Sequence, residues 1–286
     1  MRLAWATTAQ ARGDDVDEPP ALAALAAAGA QVDVLEWDDP DARWGSYDRV
    51  ALRSVWDYPQ RLPEFLAWLD AIEPVTDVVN PAAVVRWNLD KHYLRDLAAA
   101  GVACIPTAFA EPGEAAELPD REFVVKPAIG AGSRDVGAYR PGERAEAAAH
   151  VARLHERGES VLVQPRIATV AEHGEWGLVF FAGRYSHAAN KRVELAPAGA
   201  LDELYAAETL AAHDADPAQV AAGRAAVDAV AARFGVPAYA RVDLVRAEDG
   251  GYLVLEVELI EPSLFLPQAG PLAPVRLAEA LVGAAI

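Results

Sequence analysis

Two short stretches near the C-terminal end place charge where a fold tolerates it least. Arg241-Val-Asp243 and Glu256-Val-Glu258 sit inside otherwise apolar runs that include Leu253, Val254, Leu255, Val257, Leu259 and Ile260. With the turn Glu248-Asp-Gly-Gly251 between them, the runs read as paired strands, Tyr239 to Val245 and Tyr252 to Leu259. Residues two apart on a strand share a face, so Arg241 accompanies Asp243 and Glu256 accompanies Glu258. Three carboxylates on one buried sheet face repel one another unless cations stand between them. Magnesium meets that need: it takes oxygen ligands and binds through one or two carboxylates together with nucleotide phosphates. The ordinary alternative, a solvated strand face, fits poorly with such apolar neighbours.

Composition narrows the setting. The chain has 286 residues, 53% hydrophobic and 24% charged, as expected of a soluble globular protein of one or two domains. No apolar run approaches the ~18 residues of a membrane span. The opening Met1-Arg-Leu-Ala-Trp-Ala-Thr-Thr8 reads as a buried strand rather than a signal peptide. One cysteine, Cys104, cannot form an internal disulfide and suits a reducing cytoplasm, the expected location. A net charge of -18 opposes nucleic acid and anionic membranes as partners, so any bound phosphate must meet a local cluster of positive charge. Only three of the 25 cations are lysines, Lys91, Lys126 and Lys191, which draws attention to where they stand. Lysine is a compact charge on a flexible stem, suited to phosphate oxygens.

Strand and helix patterns alternate over the first 80 residues, which predicts parallel pairing in an open α/β sheet. The strands are Leu3 to Thr7, Val32 to Glu36 and Arg49 to Leu52; helices are expected over Pro20 to Gly29 and Pro63 to Ile72. Asn80-Pro81 marks a boundary, followed by one helix from about Val84 to Ala100. A strand-loop-helix-strand block then runs from Phe123 to Gln164. The remainder supplies a hairpin around Ala182-Gly183-Arg184, a polar excursion to Asp216, a helix over Pro217 to Phe234 and the acidic hairpin. Boundaries are accordingly expected at 1–81, 82–164 and 165–286.

Phe123-Val-Val-Lys126-Pro127 leads into Ala128-Ile-Gly130-Ala131-Gly132-Ser133. Small residues after a strand let backbone N–H groups approach phosphate oxygens, yet the order is neither GxxxxGK[ST] nor GxGxxG. Trp87-Asn-Leu-Asp-Lys91 lies on a helix, and Val161-Leu-Val-Gln164-Pro-Arg166-Ile167 is a strand ending in a kink whose backbone suits an adenine edge. At the end of the third strand, where open α/β sheets bind ligands, Arg53 and Ser54 precede Asp57 and Tyr58. Arg53 suits a carboxylate and Asp57 an ammonium, pointing to an amino-acid-like substrate; a local Arg53–Asp57 ion pair is the competing explanation.

Taken in order, Asn-x-Asp-Lys, Val-Val-Lys-Pro with its glycine loop, Gln-x-x-Ile, Asn190-Lys191-Arg192, Arg-Val-Asp and Glu-x-Glu resemble the ATP-grasp superfamily over about residues 80 to 265. The nearest resemblance is to small ligases related to ribosomal-protein S6 glutamate ligase and glutathione synthetase. Arg53-Ser-Val-Trp-Asp-Tyr58, Val85-Arg-Trp-Asn88 and Leu255-Glu-Val-Glu-Leu-Ile-Glu-Pro262 are similar to the branch containing the D-cycloserine-forming cyclo-ligase.

The resemblance implies an α/β, ATP-grasp fold: an N-terminal open parallel α/β domain, a small lid lobe and a C-terminal antiparallel-sheet lobe. It further implies ATP, with Lys91 and Lys126 on its phosphates, Gly130, Ala131, Gly132 and Ser133 closing over them, Gln164, Arg166 and Ile167 at adenine and Glu175 at ribose. Asp243, Glu256 and Glu258 would hold two Mg2+ ions, or Mn2+. Arg241 would steady the transferring group, and Lys191 and Arg192 would face phosphate or substrate carboxylate. Relatives commonly carry Glu at Pro165 and Asn at Glu258, so this chain adds a negative charge at the metal site. The segment Val193 to Asp216 matches poorly and is expected to shape an acceptor pocket. The implied reaction activates a small carboxylate as an acyl phosphate and passes it to an amine, within one molecule or between two. A non-catalytic nucleotide-binding protein and a kinase-like phosphotransferase are the competing classes, and a homodimer is an open expectation.

Overall fold

The computed structural model describes residues 1–130, 132, 134–193 and 208–283. The N-terminal quarter forms a four-stranded parallel sheet from β1 (Arg2–Thr7), β2 (Gln31–Glu36), β3 (Arg49–Ser54) and β4 (Asp77–Val79), in the order β2-β1-β3-β4. Helix α1 (Glu18–Ala27) covers one face. Helix α2 (Leu62–Ile72) covers the other through Phe65, Leu69 and Ile72, which pack with Trp37 and Leu52. The parallel order follows from strands separated by helices.

The expected helix over Val84 to Ala100 is instead two, α3 (Ala82–Asn88) and α4 (Tyr93–Ala99). Tertiary contacts cause the break. The side chain of Asn88, the last residue of α3, ties the helix end to the backbone of a distant strand, donating to Val257 O at 2.7 Å and accepting from Leu259 N at 2.8 Å. Lys91 N donates to Ala128 O at 2.9 Å, and Asp90 bridges Ile129, so the residues between the helices are spliced onto the start of the glycine loop.

A second sheet follows from β5 (Ala108–Ala110), β6 (Phe123–Pro127), β7 (Gly137–Tyr139) and β8 (Val161–Pro165), in the order β5-β8-β6-β7, with α5 (Arg144–Glu156) against it. It has its own small core of Phe123, Val125, Ala147, Val151, Leu154 and Val161.

After the short α6 (Val170–His173), the third sheet is built from β9 (Glu175–Phe181), β10 (Arg184–Val193), β11 (Glu208–His213), β12 (Tyr239–Arg246) and β13 (Tyr252–Glu258). Its order is β11-β10-β9-β12-β13, every pairing antiparallel. Helix α7 (Pro217–Phe234) packs Val227 and Val230 onto one face, and its start is set by a capping box in which Asp216 accepts from Ala218 N and Gln219 N. The final helix, α8 (Leu272–Val282), returns to α1 and joins a core shared by the first and third sheets through Trp5, Phe181, Tyr239 and Leu277. Asn80 reinforces that junction by donating to Tyr239 O and Leu259 O at 2.9 and 2.8 Å. The first and third sheets are thus one packed body, and the second sheet stands over it with a separate core. No described helix is long and apolar enough to cross a membrane.

Candidate active site

The acidic hairpin forms as the alternation requires. Asp243 on β12 pairs directly with Glu256 on β13, and Arg241 with Glu258. A bulge between Asp243 and Leu244 shifts the register, and both Leu255 and Glu256 consequently line the cavity above the sheet. On the other side of β12 the partner of Asp243 is Gly177. A Cβ at Gly177 would lie 2.5 Å from the Phe265 ring and 3.1 Å from Asp243 Oδ1, so only glycine leaves room for this carboxylate.

The acids are met by protein cations. Arg241 Nε donates to Asp243 Oδ1 at 2.8 Å and Nη2 to Oδ2 at 3.0 Å, and Nη2 also bonds Glu258. Lys191 reaches across the face from β10, pairing with Glu175 at 3.0 Å and Asp243 at 3.1 Å. Lys91 pairs with Glu256 at 3.0 Å and donates to Gly130 O at 2.8 Å. Among the described residues no three His, Cys, Asp or Glu side chains gather as a ready-made metal cage. That differs from the expectation of carboxylates converging on ions: each acid turns to a guanidinium or ammonium. The oxygen donor set still suits magnesium, which needs few carboxylates when phosphates supply the rest. Charge balance agrees, because burial, with Asp243 and Glu256 nearby, pushes Glu258 up to about 7 against the pull of Arg241.

The other ionisations follow from the same contacts. Burial opposes a charged Asp243, but Arg241 and Lys191 outweigh it and draw the carboxyl down to about 2. Burial likewise opposes charge on Glu256, and Lys91 and Lys126 reverse the balance. Lys91 is buried too, yet Glu256, Glu258 and Glu261 hold its pKa above the ordinary value. Lys126 is the exception. It makes no ion pair among the described residues, and burial with Lys91 and Lys191 alongside lowers its pKa. An ammonium kept in a cleft without a fixed anion is poised for an incoming one.

Most of these groups border one cavity of about 800 Å³ between the second and third sheets, whereas Arg241 and Glu258 stand behind Asp243 and are not part of its lining. Lys91, Lys126, Gly130, Gly132, Glu175 and Lys191 line it beside Asp243 and Glu256. Its apolar end is walled by Ile105, Val124, Ile167, Val245 and Leu255, next to Gln164 and Arg166. The Gln164 amide donates to Thr107 Oγ1 at 3.0 Å, and Arg166 pairs with Glu122 at 2.8 Å, which leaves backbone and apolar surface at that end. Arg192 stands at the rim, donating to Glu172 O at 2.8 Å. Ala131 and Ser133 lie outside the described residues, as does 194–207, most of the expected acceptor segment.

Arg53, Ser54 and Asp57 do not join this lining. Arg53 is 1% exposed, donates to Pro262 O at 2.5 Å and faces the rings of Trp5 and Tyr239 at 5.6 and 5.0 Å. Ser54 donates to Asp15 Oδ2 at 2.6 Å. Asp57 accepts from Trp37 Nε1 at 2.8 Å and pairs with Arg61 at 3.2 Å, so the alternative Arg53–Asp57 pair does not form either.

Residues 3–80 match the family model described as D-cycloserine synthetase DcsG, N-terminal domain. The cycloserine biosynthesis protein DcsG of Streptomyces lavendulae is 41% identical over 292 residues, covering 98% of this chain and 97% of that protein. The chain belongs to the D-cycloserine synthetase family. A crystal structure of D-cycloserine synthetase DcsG superposes with a TM-score of 0.90 at 38% identity, covering 99% of each chain. Fold alone is shared with D-alanine–D-alanine ligase from Bacillus anthracis, at a TM-score of 0.71, 16% identity and coverage of 99% of this chain and 96% of that one. The same holds for the ATP-grasp ligase PsnB complexed with minimal precursor, Mg and ADP, at 0.63, 17% identity and coverage of 98% and 97%. The fold is thus that of the ATP-grasp ligases, as the motif order implies, and a member of the synthetase family is an ATP-dependent ligase.

Proposed function

We propose that this enzyme uses ATP to phosphorylate the carboxylate of an amino-acid-like substrate and then closes that substrate on its own side-chain nitrogen. The observation that carries the reading is the convergence of all three lysines on one cavity opposite Asp243 and Glu256, with Lys126 in no ion pair among the described residues.

In this reading the nucleotide lies between the second sheet, a lid contributed by 82–164, and the third sheet within 165–286, while 1–81 closes the substrate end. The base takes the apolar slot at Ile105, Val245 and Leu255 and reads the backbone of Gln164 to Ile167. Glu175 accepts from ribose, and Lys91, Lys126 and the glycine loop hold the phosphates. Asp243, Glu256 and Glu258 would hold two magnesium ions, which supply charge neutralisation at the phosphate oxygens. Lys191 and Arg241 then turn from the acids toward the transferred group, and Arg192 borders the substrate end.

A carboxylate is a poor acyl donor because oxide would have to leave; as an acyl phosphate it loses phosphate instead. The likeness to D-cycloserine synthetase supports ring closure as the second step, since cycloserine joins a serine-derived carbonyl to the nitrogen attached to the side-chain oxygen. That nitrogen attacks the acyl carbon, the C–N bond forms, the C–O bond to phosphate breaks and the nitrogen loses a proton. Enclosure by the lid excludes water from the intermediate.

Incubation with ATP, magnesium and an O-ureido- or O-amino-serine, without any second amine, is expected to release ADP and give a cyclic product by mass spectrometry. An absolute requirement for an added amine would replace ring closure with intermolecular ligation.

A further inference from the structure

Arg134 also lines the cavity, from the far limb of the glycine loop. The register of the second sheet fixes where that limb stands. β6 pairs with β8 from Phe123 opposite Pro165 to Pro127 opposite Val161, so Gln164 and the loop mark opposite ends of the same pairing. β7 re-enters with Gly137 opposite Val125, and the loop therefore leaves the sheet at the Lys126 end. A nucleotide whose base sits beside Gln164 extends its phosphates toward Lys126 and the loop beyond it.

The far limb is anchored on its other side. Asp135 takes the left-handed conformation at a φ of 55° and pairs with Arg157, just past α5, at 2.8 Å. Asp135 thus faces the helix while its neighbour Arg134 borders the cavity. Arg134 is part-buried, its Nε is closed off from solvent without an acceptor, and no carboxylate pairs with its guanidinium among the described residues. The other arginines of the lining are accounted for: Arg166 pairs with Glu122, Arg192 donates to Glu172 O, and Arg140 is exposed at the rim. A buried donor without a partner asks what group completes it. Here Arg134 shares with Lys126 the condition of a part-buried cation facing the cavity with no anion of the described residues against it.

We propose that Arg134 reads the terminal phosphate of ATP, its guanidinium gripping the γ-phosphate from the glycine loop. The inference rests on the ligase reading above and adds a third cation to Lys91 and Lys126, one specific to the triphosphate. A terminal phosphate has three free oxygens, which suit the two parallel donors of a planar guanidinium. Arg134 is carried by the loop and not by the sheet, so ATP draws the loop over the cavity more strongly than ADP does. Loss of the terminal phosphate by transfer then loosens the loop for release of ADP.

The test is calorimetric titration of Mg·ADP and of the magnesium complex of the non-hydrolysable imido analogue of ATP into wild type, Arg134→Met and Arg134→Lys. A charged hydrogen-bonded pair implies that Arg134→Met binds the triphosphate analogue roughly 10- to 100-fold more weakly. Mg·ADP affinity should change by less than about threefold. Arg134→Lys keeps the charge without the fork and should recover part of the lost affinity, again with Mg·ADP near the wild-type value, which covers the case of a poorly folded methionine variant. Equal weakening of both nucleotides in the lysine variant would overturn the assignment in favour of an inner-phosphate or structural role. Should the wild type itself bind neither nucleotide, the ligase reading fails; should it bind both while Arg134→Met matches it, only the role of Arg134 does.

Discussion

Lys126→Met is expected to lower turnover by on the order of 100-fold or more while leaving the nucleotide-free protein as stable as the wild type, or more so. The two effects separate because Lys126 makes no ion pair among the described residues. Burial and the neighbouring Lys91 and Lys191 already disfavour its charge, so folding gains nothing from it. Methionine of similar length keeps the packing and removes the unfavourable cation. If phosphates occupy the cleft as proposed, the sign should reverse, since the ammonium would then meet an anion. Thermal melts without and with Mg·ADP, beside steady-state ADP release, check both halves. A loss of stability in the nucleotide-free variant would mean that the lysine has a partner the fold depends on.

Asp243→Ala should be costly in both respects. Asp243 is 2% exposed and holds two cations, Arg241 by two hydrogen bonds and Lys191 by one. Removing one partner of a buried ion pair costs about 3–5 kcal/mol, because the remaining charges stay buried and uncompensated. The folded carboxyl titrates at about 2, below the ordinary value near 4. A depressed carboxyl stabilises the fold above its unfolded pKa and loses that contribution as pH falls through the folded one. The wild type should therefore shed this share of stability between about pH 4 and 2, and Asp243→Ala should lack that component in urea melts across the same range. A variant with wild-type stability near neutrality would show that Arg241 and Lys191 find other anions.

Much of this site is legible in sequence because strand alternation is a local rule. The spacing put Arg241 on the same side of its strand as Asp243 and Glu256 on the same side as Glu258, and the pairing of β12 with β13 brings the two pairs opposite one another. Scarcity made the lysines conspicuous, and all three reach the same cavity. What stayed hidden depends on distant partners. The gap between α3 and α4 is invisible in a helical pattern from Val84 to Ala100, because the contacts that open it lie on β13 and at Ala128. Strand β11 lies within a polar stretch at the sheet's edge, where pairing on one side imposes little pattern. Arg53 looked like a ligand residue from its place after β3, yet its partner is a backbone carbonyl 209 positions away. Gly177 carried a usable signal, a glycine inside a strand otherwise filled with large side chains, which marks close approach of a neighbour.

Activation of the substrate carboxylate by phosphate is the step on which the other roles depend, and oxygen isotopes test it directly. With O-ureido-serine labelled by 18O in both carboxylate oxygens, phosphate released in a single turnover should carry one 18O atom. Phosphate free of label, alongside ADP and cyclic product, would show that the carboxylate never bonded to phosphorus and would contradict the mechanism.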